Sequence, residues 1–108
     1  MNTNTLIFTD ENFEQEVLNH PGLVLVDIWA SWCGPCRILG PIVEEVAIEF
    51  AGRARVGKLN VDEHQQTASR YDIQSIPTLL FLKHGQVMDR VVGLAPKQVL
   101  AEKLTALF

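Results

Sequence analysis

The run Leu23-Val24-Leu25-Val26-Asp27-Ile28-Trp29 constrains the fold of this chain more than any other segment. It is apolar at nearly every position and rich in β-branched side chains. A strand with one face in water alternates polar and apolar residues. A continuous apolar run has both faces covered, which is the habit of a parallel sheet between helices. The flanking segments agree. Leu6-Ile7-Phe8 reads as a short first strand. Thr9 and Asp10 read as caps of a helix in which Phe13, Val17 and Leu18 recur at helical spacing, and His20-Pro21-Gly22 ends it. Beyond the central run, Leu39, Ile42, Val43, Val46, Ala47 and Phe50 mark one side of a longer helix that begins near Cys33 and stops at Gly52. Pro41 lies inside it and cannot donate to the carbonyl of Arg37, so a kink is expected there rather than a break.

The rest of the chain continues the alternation. Ala54 to Val61 reads as a third strand, Gln65 to Tyr71 as a short helix, and Thr78 to Leu82 as a fourth strand. His84-Gly85 signals a hairpin turn, and Val87 to Val92 pairs back antiparallel. A last helix starts at Pro96 and buries Val99, Leu100, Leu104 and Leu107. The order β-α-β-α-β-α-β-β-α defines an α/β fold. Its helical crossovers predict a parallel core with helices on both faces, and the hairpin adds an antiparallel edge.

With 108 residues, no repeat and no linker, the chain reads as one domain over residues 1–108. A net charge of −4, with its Lys and Arg scattered, argues against nucleic acid or an anionic membrane as partner. The start, Met1 to Thr5, has no positive charge and runs into Asp10, Glu11, Glu14 and Glu16, unlike a targeting segment. No apolar run approaches the roughly 20 residues of a membrane span. The expected location is the cytoplasm.

Only two cysteines occur, Cys33 and Cys36, with Gly34 and Pro35 between them. A disulfide closing so short a loop constrains the unfolded chain very little, so stapling is a poor reason for the pair. Chemistry is the better one. Trp32-Cys33-Gly34-Pro35-Cys36 falls where the central strand gives way to a helix. The first turn of a helix has unpaired N–H groups and a partial positive charge, and both favour a thiolate. The effect matters because an ordinary thiol, with a pKa near 8.5, is only about 3% ionised at pH 7. Residues i and i+3 of a helix have Cβ atoms about 5–6 Å apart, close enough for a modest adjustment to close a disulfide. Cys33, nearer the helix start and the solvent, is expected to be the nucleophile and Cys36 the resolving thiol. Half of a zinc site is the competing reading. Zinc needs four ligands, there is no second cysteine pair, and His20, His64 and His84 are spread over loops and turns. No metal is expected.

At these residues the sequence resembles the thioredoxin family, and the likeness covers nearly the whole chain. Val26-Asp27-Ile28-Trp29-Ala30-Ser31-Trp32-Cys33-Gly34-Pro35-Cys36-Arg37 is similar to the family's active-site signature. Lys58-Leu59-Asn60-Val61-Asp62, Ile76-Pro77-Thr78 and Gly93 match further family segments. The resemblance implies the thioredoxin fold, a five-stranded mixed sheet of order 1-3-2-4-5 flanked by four helices. It implies that Asp27 is a carboxylate buried beneath the sulfurs that accepts a proton from Cys36, and that Lys58 neighbours and tunes it. A structural Asp27 and a surface Lys58 are the plainer alternatives. An ionised group inside so apolar a strand is costly, however, and burial raises a carboxyl pKa. Pro77 matches the family's cis-proline. Trp32, Gly34, Pro35, Val61, Ile76, Val92, Gly93 and Leu94 match its docking surface, although any one of them alone would pass for core.

The function implied is that of a protein-disulfide reductase working by reversible thiol–disulfide exchange. It would donate electrons to cytosolic proteins and contribute to cell redox homeostasis. Gly34-Pro35 resembles the reducing members, whereas oxidising members usually have a histidine there. Reducing equivalents are expected from NADPH through a flavoprotein thioredoxin reductase, with no cofactor bound to this chain. Its other partners would be disulfide-containing proteins such as reductases and peroxidases, met by a monomer. The alternative is a binding module of the same fold whose thiols are dispensable. Some positions depart from the common pattern: Ile28 stands where an aromatic is usual, Gly40 where Ala or Ser is common, and Ala95-Pro96 where a polar cap is usual.

Overall fold

The computed structural model describes residues 4–108. The strands β1 (Thr5–Phe8), β2 (Leu23–Trp29), β3 (Ala54–Asn60), β4 (Thr78–Lys83) and β5 (Gln86–Val92) form a sheet of order β1-β3-β2-β4-β5. Its helices are a single π-helical turn at Glu14–Leu18, then α1 (Gly34–Glu49), α2 (Gln65–Arg70) and α3 (Lys97–Leu107). This is the thioredoxin fold.

The central run behaves as its composition requires. Every residue of β2 up to Ile28 is buried. Strand periodicity sends alternate side chains to opposite faces. Leu23 and Leu25 pack with Leu39, Val43, Val46 and Phe50 of α1 and with Leu100 and Leu104 of α3. Val24, Val26 and Ile28 pack with Phe8, Phe13, Val17, Leu80 and Leu82 on the other side. Asp27 therefore falls on the α1 face.

One sequence expectation fails. The three crossovers pointed to a parallel core, yet only β1, β3 and β2 run parallel, and β4 lies antiparallel to β2. The reason is length. The six residues of α2 rise only about 9 Å, whereas the seven of β3 span about 23 Å. The connection cannot carry the chain back along the sheet, so β4 starts at the end where β3 finishes. The hairpin is as expected: His84 and Gly85 both have positive φ, 54° and 78°, matching a tight turn that favours the twist of the flanking strands.

Capping also differs in detail. Thr9 and Asn12 exchange hydrogen bonds, each side-chain oxygen accepting the other's backbone N–H at 2.9 and 2.8 Å. Asp10 does not cap its own helix. Its carboxylate accepts the N–H groups of Gln66 and Thr67, at 3.3 and 2.9 Å, and the Thr67 hydroxyl at 2.7 Å. It thus anchors the start of α2, 56 residues away. The first helix is a π-turn, with the Asn19 N–H donating to the carbonyl of Glu14 at 2.9 Å. Helix α1 runs unbroken through Pro41. Pro96 sits just outside α3 as its flanking residue and offers no side-chain cap.

Gly57 is a packing requirement. A Cβ there would lie 2.6 Å from Cζ and 2.8 Å from Cδ2 of Phe8, well inside contact distance. Gly57→Ala is expected to destabilise the fold by about 1–3 kcal/mol through overpacking. Asp10→Ala is expected to lose about 1 kcal/mol with the cap of α2. Equilibrium unfolding in urea measures both. An unchanged Gly57→Ala midpoint would mean that the Phe8 ring moves away freely.

Candidate active site

The C-terminal end of β2 delivers the chain through Ala30, Ser31 and Trp32 to the start of α1. Cys33 is the residue that caps α1, with extended backbone at φ −89° and ψ 114°. Its sulfur accepts the N–H of Cys36 at 3.2 Å, so a sulfur atom occupies the place where Ser, Asp or Asn usually caps a helix. The α-carbons of Cys33 and Cys36 are 5.2 Å apart and the two sulfurs are joined in a disulfide. The expected difference in exposure is not seen: the two residues are 4% and 5% exposed. Position in the helix, not access to water, is what separates them. The first turn of α1 holds no acidic residue to oppose a thiolate.

The surrounding chain converges on this pair. Val61 and Ile76 pack against Ala30, Cys33 and Cys36. The Ile76 carbonyl oxygen lies 3.8 Å from the Cys33 sulfur, and the Ile76–Pro77 peptide bond is cis. The Gly93 N–H donates to the carbonyl of Pro77 at 2.8 Å, with Gly93 at φ 96°, a conformation that favours glycine. Val92 and Leu94, on either side of it, are 59% and 50% exposed, and Trp32 is 67% exposed. Gly34 and Pro35 are exposed as well. Val61 and Ile76 are thus brought to the sulfurs from two other segments, and a third is tied in through the bond from Gly93 to Pro77.

On the α1 face of β2 lies Asp27, fully buried, and neither of its carboxylate oxygens has a hydrogen-bond partner. Burial raises its pKa from 3.8 to about 7, opposed by the positive charge of Lys58. Lys58 is the register neighbour of Asp27 on β3. Its ammonium lies 4.9 Å from the centre of the Trp29 ring and acts on Asp27 through space.

Two contributors were not foreseen. The Trp32 indole N–H donates to Asp62 at 2.9 Å, which fixes an otherwise exposed ring. Asp62 belonged to a recognised segment, but nothing in sequence spacing joins position 62 to position 32. The Arg37 guanidinium donates to the carbonyl of Ser31 at 3.0 Å and braces the loop before Cys33. Among the described residues no group of three or more His, Cys, Asp or Glu is placed to hold a metal ion. Nor, among the described residues, is any helix long and apolar enough to cross a membrane.

A dithiol that opens and closes at the start of a helix, on a sheet of this order, defines a dithiol–disulfide oxidoreductase. The family model for thioredoxin matches residues 4–106. Over 96 residues the chain is 53% identical to thioredoxin 2 of Chlorobaculum tepidum, covering 89% of this chain and 88% of that one. It is 51% identical to a thioredoxin of Chlorobaculum thiosulfatiphilum, covering 89% of each. It is 49% identical to a thioredoxin of Staphylococcus aureus, covering 89% and 90%. The chain belongs to the thioredoxin family, and its activity is that of a protein-disulfide reductase.

The Asp27 shift has a measurable consequence for stability. Between pH 4 and pH 7 the folded protein holds a proton on Asp27 that the unfolded chain has released. Folding stability contributed by that bound proton is present at low pH and is lost as pH rises through this window. The loss is on the order of 4 kcal/mol for a shift of this size. The stability of oxidised Asp27→Asn relative to wild type is therefore expected to rise by about that amount between pH 4 and pH 8. Urea unfolding at several pH values checks it, and a pH-independent difference would contradict the assigned burial cost.

Proposed function

We propose that this chain reduces the disulfides of other proteins, with Cys33 as the attacking thiolate, Cys36 as the resolving thiol and Asp27 as its proton acceptor. The observation that carries the assignment is the placement of the Cys33 sulfur as the helix cap, on a sheet whose central strand turns a buried and unpartnered carboxyl group toward the same helix. The Cys33 thiolate attacks one sulfur of the target disulfide, and the other sulfur leaves as a thiolate. A mixed disulfide now joins Cys33 to the target. Cys36 gives its proton to the Asp27 carboxylate, and the Cys36 thiolate attacks the Cys33 sulfur. The second target sulfur is released, the target has gained two electrons, and Cys33 and Cys36 are left joined. With a pKa of about 7, Asp27 is ionised in a substantial fraction of molecules at neutral pH and still basic enough to take a proton. Lys58 favours the charged form and so keeps that balance near neutrality.

The exposed Trp32, Val92 and Leu94, with Gly34, Pro35, Val61, Ile76, Pro77 and Gly93, serve as the surface on which targets dock. An extended target segment can pair with the backbone at Ile76, in the manner of strand addition, and so bring its disulfide to Cys33. We read residues 1–108 as one domain that works as a monomer in the cytoplasm. It binds no cofactor of its own. An NADPH-dependent flavoprotein thioredoxin reductase regenerates the dithiol, and reductases and peroxidases are among its protein substrates.

The exposed apolar patch also favours a second reading, a binding module indifferent to its thiols. Insulin reduction in the presence of a thioredoxin reductase separates the two: the wild type is expected to reduce insulin, and a double Cys33→Ser, Cys36→Ser variant to be inert. Cys36→Ser alone is expected to accumulate mixed disulfides, visible on non-reducing gels, whereas normal turnover by that variant would overturn the roles given to the two thiols. A reduction potential near or below the glutathione poise supports a reductase, and one above about −150 mV would mark an oxidant. Asp27→Asn is expected to slow release of the target by about 10–100-fold near neutral pH, as loss of a proton acceptor does. Stopped-flow measurement of the second step tests this.

A further inference from the structure

Gly40 stands on the buried face of α1, between Cys36 and Val43, in the middle of a helix. A glycine there is less favourable to the helix than alanine. The backbone does not require it, because Gly40 has ordinary helical geometry and a Cβ would meet only the Lys58 ammonium nitrogen, at 3.6 Å. That is a normal contact for a methyl group. Any atom beyond Cβ that points the same way would run into the ammonium. Gly40, Cys36, Trp29 and Lys58 line one cleft of about 300 Å³, with Arg37 and Glu44 also on its walls. The ammonium is held 4.9 Å from the Trp29 ring centre at this spot, on the strand position paired with Asp27.

We infer that Gly40 is a positioning residue for the resolving step: with no side-chain atom beyond the Cβ position there, the Lys58 ammonium has room to lie over Trp29, in the cleft with Cys36 and on the strand position paired with Asp27. The inference rests on the proton-acceptor role proposed for Asp27. Gly40 itself touches neither the sulfurs nor the carboxyl group and acts through Lys58. The charge that acts on Asp27 is that of Lys58, its register neighbour on β3, and α1 brings Cys36, Arg37 and Glu44 to the cleft that holds the ammonium. The facing residue on β4 is Leu79, which has no charge. Moving the ammonium away therefore removes the cation that favours the ionised form of Asp27.

The test compares Gly40→Ala, Gly40→Met, Lys58→Met and the double variant. The Asp27 titration midpoint is read by carboxyl carbon NMR on the oxidised protein, and the resolving rate is followed against pH. Gly40→Met is expected to raise the midpoint by about one pH unit, since a nearby opposite charge shifts a carboxyl by about that much or more. Lys58→Met is expected to raise it at least as far, and the double variant no further than Lys58→Met. Gly40→Ala should raise the urea midpoint and leave the titration where it was. If Gly40→Met fails to fold, Gly40→Val carries the same expectation with a shorter branch. A Gly40→Met midpoint equal to that of the wild type would overturn the inference. So would an equal further rise in the Lys58→Met background, because the effect would not then pass through Lys58. Failure of the wild type to reduce insulin would instead defeat the functional reading, while the titrations still report on the link between Gly40 and Lys58.

Discussion

The Cys33 sulfur holds the first turn of α1 by accepting the N–H of Cys36. The site depends on this one hydrogen bond. It spends an unpaired backbone donor on a sulfur atom, so the helix itself favours negative charge at Cys33. It also fixes the separation of the two cysteines. With their α-carbons 5.2 Å apart, the sulfurs lie within reach of one another on a single turn. The rest of α1 is packed independently of the bond, through Leu39, Val43 and Val46.

In the central strand the protein accepts a large energetic penalty. A fully buried carboxyl with no hydrogen-bond partner is rare in a folded core, and Asp27 sits inside the strand that contributes most to packing. Its position follows from strand periodicity: with Leu23 and Leu25 facing α1, residue 27 must face it too. The Lys58 ammonium is the partial remedy. It sits on the neighbouring strand and over the Trp29 ring, where a full ion pair would have pulled the carboxyl far below neutrality.

The short α2 explains why the remaining parts meet at the same end of the sheet. Because β4 must begin where β3 stops, the segment before it, Ile76-Pro77, arrives beside the sulfurs. The tight turn at His84-Gly85 then returns β5 to the same end, where the Gly93 N–H reaches the Pro77 carbonyl at 2.8 Å. Asp10 anchors α2 from the other side of the sheet order, through Gln66 and Thr67. The direction of β4 and the assembly of the docking surface are thus one event, and the parallel arrangement expected from the crossovers would have left Ile76 at the far pole.

Features governed by neighbours in sequence were legible in advance. The doubly buried β2, the cysteine pair at a helix start, the turn at His84-Gly85 and the anomaly of Asp27 each depend on residues a few positions apart. Their physics is local: side-chain alternation, unpaired N–H groups, and the cost of charge in an apolar run. Family likeness added Lys58, Pro77 and Gly93. Tertiary structure alone decided the bond from Trp32 to Asp62, the cap that Asp10 gives to α2, the antiparallel course of β4, and the room that Gly40 leaves for Lys58. Each of these joins segments far apart in the chain. Such contacts depend on how whole elements pack in three dimensions, and no spacing in the sequence encodes the distance between them.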